Sequence, residues 1–134
     1  MTTMMRILNL TQHTATADQS AAGVFEPSDK QTIRKELTFA DIPDGEEIYD
    51  RARRLAFTAK GEAISAGVKS GERYAMVGGA PFLMPALERL LRAKGIVPLY
   101  AFSRRESVEQ TLPDGSVEKI NKFVHLGFVE GLEL

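Results

Sequence analysis

Three short stretches of this 134-residue chain gather the groups that could bind or act on a ligand. Residues 9–13 supply the amides of Asn9 and Gln12, the hydroxyl of Thr11 and the imidazole of His13. Histidine is the side chain suited to moving a proton near neutral pH, although a lone loop histidine is more often a plain hydrogen-bonding group. The second stretch, Gly78-Gly79-Ala80-Pro81 with Phe82 behind it, precedes a predicted helix. Glycines let backbone approach a ligand closely, and free N–H groups at a helix start favour an anion. A tight turn that merely packs helix on strand explains the same residues equally well. The third stretch is Ser103-Arg104-Arg105, where a guanidinium could clamp a phosphate with two parallel donors. Neighbours on a strand face opposite ways, so one of the two arginines at most is expected to face a site. Lys122 could reach toward the same ligand or, like Lys119, simply solubilise an edge strand.

Composition narrows the chemistry. There are no cysteines, which excludes disulfides and thiolate metal sites and fits a reducing compartment. His13 and His125 are far apart, and no H-x-x-x-H or H-E-x-x-H spacing occurs, so no metal and no cofactor are expected. The net charge of −1 supplies no basic field for long nucleic acid. No apolar run approaches the roughly 20 residues of a membrane span, and the start of the chain does not read as a signal peptide. A cytoplasmic protein with no membrane partner is the expectation. Any phosphate must then be met by local cations and backbone N–H groups.

Those groups need elements to hold them. Residues 6–10 read as a short buried strand, and a helix opens near Thr16 with Gln19 placed for a capping box. Residues 33–39 alternate weakly and suggest a second strand. After the turn at Pro43-Asp44-Gly45, a long helix starts at Glu46 with its first turn acidic. Ile48, Ala52, Leu55, Ala59 and Ala63 make its apolar face, its arginines read as solvated, and Gly67 and Gly71 end it. Residues 74–77 form a strand, 82–94 a helix with Pro85 in its first turn and Gly95 closing it, and 96–102 another strand. Strand–helix–strand predicts a right-handed parallel unit. Pro113-Asp114-Gly115-Ser116 predicts a hairpin extension over about 103–130, with His125 partly buried in its second arm. The expectation is one α/β domain over 1–134: a mostly parallel sheet, flanking helices and a C-terminal β-hairpin. Ligands of such sheets sit beyond the carboxyl ends of the parallel strands, where the three stretches would converge.

Two segments carry a resemblance. Residues 8–19, with Asn9, His13, Thr16, Asp18 and Gln19, resemble the opening of a family of small stand-alone CRISPR-associated proteins of the ring-nuclease type. Residues 96–109, Asp114-Gly115-Ser116 and 123–128 are similar to that family's final strand and hairpin, and Gly78-Gly79-Ala80-Pro81 stands where it has a glycine-containing loop. The resemblance implies a Rossmann-like fold that dimerises and binds a cyclic oligoadenylate, with cyclic tetra-adenylate the expected ligand. A two-fold ring suits a two-fold homodimer. In that frame Asn9, Thr11, Gln12, Gly78, Gly79, Ala80, Phe82 and Lys122 would bind the ligand. His13, Ser103, Arg104 and Arg105 would serve metal-independent cleavage, in which the ribose 2′-OH attacks the adjacent phosphorus in line. A binder that senses or sequesters the messenger without cutting it is the alternative.

Overall fold

The computed structural model of the chain describes residues 5–133. The apolar run at its start is buried on both faces, as the central strand of a parallel sheet must be. Strand β1 (Ile7–Leu10) lies between β2 (Val24–Phe25) and β3 (Arg73–Val77), parallel to both. Strand β4 (Ile96–Thr111) continues parallel beside β3, and β5 (Val117–Glu130) returns antiparallel on β4. The order is therefore β2-β1-β3-β4-β5. The chain moves outward from β1 to β2, then crosses back past β1 to β3. This is a Rossmann-like, mostly parallel α/β sheet whose winding reverses between β1 and β3.

Helix α1 (Ala17–Ala21) follows β1 and carries the expected capping box: the Thr16 hydroxyl accepts from the Gln19 amide, and the Gln19 side chain accepts from the Thr16 amide. Residues 33–39 are not a strand. They belong largely to helix α2 (Lys30–Leu37), whose N-cap Asp29 accepts from the Thr32 amide at 3.1 Å. Ile33 and Leu37, four apart, are its two buried residues, a helical spacing that the surrounding threonines and Phe39 disguise as alternation. The second strand is instead the two-residue β2, too short for a periodicity to register.

Helix α3 (Gly45–Ser65) buries Ala52, Leu55, Ala56, Ala59 and Ala63, and Gly67 follows its end at φ +74°. Helix α4 (Met84–Ala93) starts two residues later than predicted, after a turn at 81–83, and Gly95 closes it at φ +75°. Helices α2, α3 and α4 pack on one face around Leu8, Leu10, Ala75, Val77 and Ile96. The other face holds a smaller cluster of Ile7, Val24, Met76 and Leu99, flanked by Tyr74, Val97 and Phe128. Beyond Phe102 the β4–β5 hairpin leaves the sheet as a free-standing ribbon. A register shift between Phe102 and Ser103 marks the departure, because Phe102 faces Gly127 while Ser103 faces His125.

Candidate functional site

The loop after β1 hangs from one buried side chain. Asn9 has no exposed surface, and its amide nitrogen donates to the His13 carbonyl at 2.7 Å and to both Glu26 oxygens at 3.0 Å. Its amide oxygen accepts from the Thr11 amide at 3.1 Å and the Thr11 hydroxyl at 2.7 Å. Glu26 also accepts from the Ala15 amide and lies 3.2 Å from the Lys30 ammonium. Partial burial pushes the Glu26 carboxyl up, but the Asn9 amide, the Ala15 N–H and Lys30 together outweigh it and hold the carboxyl below its usual 4.5. All of Asn9's hydrogen-bonding capacity is thus turned inward. It shapes the loop rather than reaching a ligand.

The loop after β3 is shaped by backbone geometry. Gly79 has φ +147°, a conformation that residues with a side chain rarely adopt, so glycine is required there. A Cβ at Gly78 would make only ordinary contact with Thr11, so close approach is not what demands that glycine. Among the described residues, the amides of Gly79, Ala80 and Phe82 donate no hydrogen bond within the chain, whereas those of Leu83 and Met84 are taken by Ala80 and Pro81.

A third wall comes from the α2–α3 connection, which the sequence offered only as a turn. Arg51 of α3 reaches back and donates to the carbonyls of Lys35, Glu36 and Thr38 at 3.0, 3.2 and 2.5 Å, closing the C-terminus of α2. The same guanidinium lies 4.4 Å from the centre of the Phe39 ring, and Phe39 meets Phe82 edge-on at 5.0 Å. Gln12 is drawn into this wall. Its side-chain amide donates to the Leu37 carbonyl, and its own carbonyl accepts from Arg34.

Between these walls lies a cleft of about 1410 Å³. Thr11, Gln12, His13 and Thr14 line one side and Gly78, Gly79, Ala80 and Phe82 another, while Leu37, Phe39, Ile42 and Ile48 supply an apolar wall. Tyr100 and Ala101 of β4 close it. Burial and the Glu88 carboxylate, to which the Tyr100 hydroxyl donates at 3.0 Å, push that phenol up to about 12 and keep it a neutral donor. The cleft's titratable side chains are His13, Asp41 and Tyr100, and no lysine or arginine lines it.

Of the residues predicted from sequence, Thr11, Gln12, His13, Gly78, Gly79, Ala80 and Phe82 therefore meet at one cleft. Ser103, Arg104, Arg105 and Lys122 do not line it. They sit on the ribbon, in strand rather than loop, with Arg104 bonded to Glu106 and Lys122 opposite Glu106 across the ladder. Phe39 and Arg51 were missed. Their only sequence signal was an aromatic and a cation on either side of a turn, which is common. Among the described residues no group of three or more His, Cys, Asp or Glu side chains is placed to hold a metal, and no helix is long and apolar enough to cross a membrane.

The fold and site together define a Rossmann-like α/β domain with a large cleft at the topological switch point of its sheet. The cleft spans the carboxyl ends of β1 and β3, where winding reverses. The chain belongs to the Uncharacterized protein MJ1673 family, matched over residues 5–129. No curated protein and no solved structure matches it.

Proposed function

We propose that this domain binds a nucleotide in the switch-point cleft, with a cyclic oligoadenylate as the ligand class. The observation that carries the reading is the cleft itself, which combines free amides at the 79–82 turn with an apolar, aromatic wall at Phe39 and Phe82. Free amides suit a phosphate, and apolar walls with a few hydroxyl and amide groups suit a base. At about 1410 Å³ the cleft exceeds the roughly 300–1,000 Å³ of a site for a drug-sized molecule, which favours a ligand larger than a mononucleotide. The resemblance of residues 8–19, 96–109, 114–116 and 123–128 to ring-nuclease-type proteins supplies the cyclic class. A cytoplasmic setting belongs to the same proposal and fits the absence of cysteine.

Cleavage is the second reading, favoured by one observation: His13 is exposed at the cleft beside the glycine loop. It would take the proton of a ribose 2′-OH as that oxygen attacks phosphorus, and the departing 5′ oxygen would be protonated in turn. Charge on the phosphorane would fall to the loop amides, because Arg104 and Arg105 lie outside the cleft lining. Binding without turnover needs no such help and is the reading placed first.

Incubation with labelled cyclic tetra- and hexa-adenylate in EDTA separates the possibilities. Tight binding with the ring intact supports the binder. Linear products that disappear in His13→Ala support cleavage. Failure to bind either ring refutes both.

A further inference from the structure

The ribbon poses a physical problem that the cleft does not address. Nine consecutive pairs, from Ser103 opposite His125 to Thr111 opposite Val117, extend beyond the sheet. At about 3.3 Å per residue this is a two-stranded projection some 30 Å long, and an isolated hairpin of that kind is marginal in water. Its outer strand β5 is also one of the two edge strands of the sheet, β2 being the other. Phe123 is 71% exposed and Val117 60%. Edge strands normally carry charges that prevent pairing.

We propose that two copies of this chain join edge to edge through β5, antiparallel about a two-fold axis at Ile120, making one continuous sheet. This rests on the ribbon alone and stands independently of the ligand assigned to the cleft. An isologous antiparallel contact centred on Ile120 places residue 118 opposite 122 of the second copy, and 117 opposite 123. Glu118 then faces the second copy's Lys122, and Lys122 faces its Glu118. The exposed Val117 and Phe123 cover each other, and Ile120 meets itself. These pairs share faces, since Val117 and Phe123 lie on one side of the strand and Glu118, Ile120 and Lys122 on the other. Within the chain, Glu118 stands opposite Gln110, and neither Glu118 nor Lys122 takes part in an ion pair among the described residues. From Ser103 to His125 the cations Arg104, Arg105, Lys119 and Lys122 match the anions Glu106, Glu109, Asp114 and Glu118 in number. A surface without net charge suits its own copy better than nucleic acid or an acidic protein.

Sedimentation velocity across a concentration series, with Glu118→Lys, Lys122→Glu and the double exchange, tests this. The native chain is expected to dimerise. Each single variant sets like charges opposite each other twice and should weaken the dimer about tenfold or more. The double exchange restores both pairs and should restore the dimer. A native chain that stays monomeric at high micromolar concentration overturns the proposal. So do single variants that dimerise as well as the native chain, or a double exchange that remains as weak as the singles. Phe57→Glu, on an exposed residue of α3 far from this edge, should leave the dimer intact, and its loss there would place the interface elsewhere.

Discussion

Replacing Arg51 by alanine should cost more stability than any other change on the charged side of α3. Its guanidinium is largely shielded, with its side chain 17% exposed, and it satisfies carbonyls that end α2. One nitrogen serves all three carbonyls, so two charge-assisted bonds is a fair count, each worth about 1.5–3 kcal/mol if the acceptors are left wanting. Water reaches this site and compensates part of the loss, which places the bonds near the bottom of that range. The pair with Glu47 adds about 0.5 kcal/mol and the contact with Phe39 about 0.5–1. The sum is roughly 4–4.5 kcal/mol. With a urea m-value of about 2 kcal/mol/M, the unfolding midpoint should fall by about 2 M. Arg51→Lys should recover less than half, because a compact ammonium cannot reach the carbonyls, pair with Glu47 and lie over Phe39 all at once. Ligand affinity should fall alongside stability, since Phe39 lines the cleft. A midpoint shift below about 0.5 M for Arg51→Ala would show that solvent replaces these bonds without cost, and the account of the third wall would fail.

Three further outcomes are expected. Gly79→Ala should destabilise by about 1–3 kcal/mol from its backbone angle alone and weaken nucleotide binding, while Gly78→Ala, with ordinary contacts, should do far less; equal effects in chemical denaturation would contradict this. Gly23→Ala should be strongly destabilising, because φ is +113° and the new methyl would run into the Met5 carbonyl, which a lowered thermal midpoint would register. Glu26 has a folded-state pKa below its ordinary 4.5, so it contributes stability above that value and loses it as pH falls through the folded one. Glu26→Gln should therefore flatten the acid limb of a stability-against-pH curve, and a limb of unchanged steepness would assign it to other carboxylates.

Much of this architecture is legible in the chain. The capping box at Thr16, the glycines closing α3 and α4, the hairpin turn and the buried first strand are local signals, each set by neighbours a few residues apart. Helix α2 was hidden because eight residues with two buried positions read equally well as a weak alternation. The cleft was half legible. Strand-end logic located the loops after β1 and β3, since a parallel sheet places them without further information. It failed at Ser103 because nothing local says that β4 runs on for 16 residues. It also misjudged Asn9, whose type suggests recognition, while Glu26, 17 residues away, turns it inward. The Arg51 clamp spans as many as 16 residues between elements and leaves no periodic trace.

The register shift beside Gly127 has a consequence for how this ribbon can vary. The extra residue in β5 at that point resets the alternation, so everything beyond it obeys a count of its own, independent of the sheet. Insertions or deletions of two residues in each arm would change the projection's reach by about 7 Å and keep every side chain on its side. A single residue lost beyond the shift would swap the two surfaces of the outer strand, carrying Phe123 to where Lys122 had been. Reach can be adjusted freely in this fold, provided it changes in even steps.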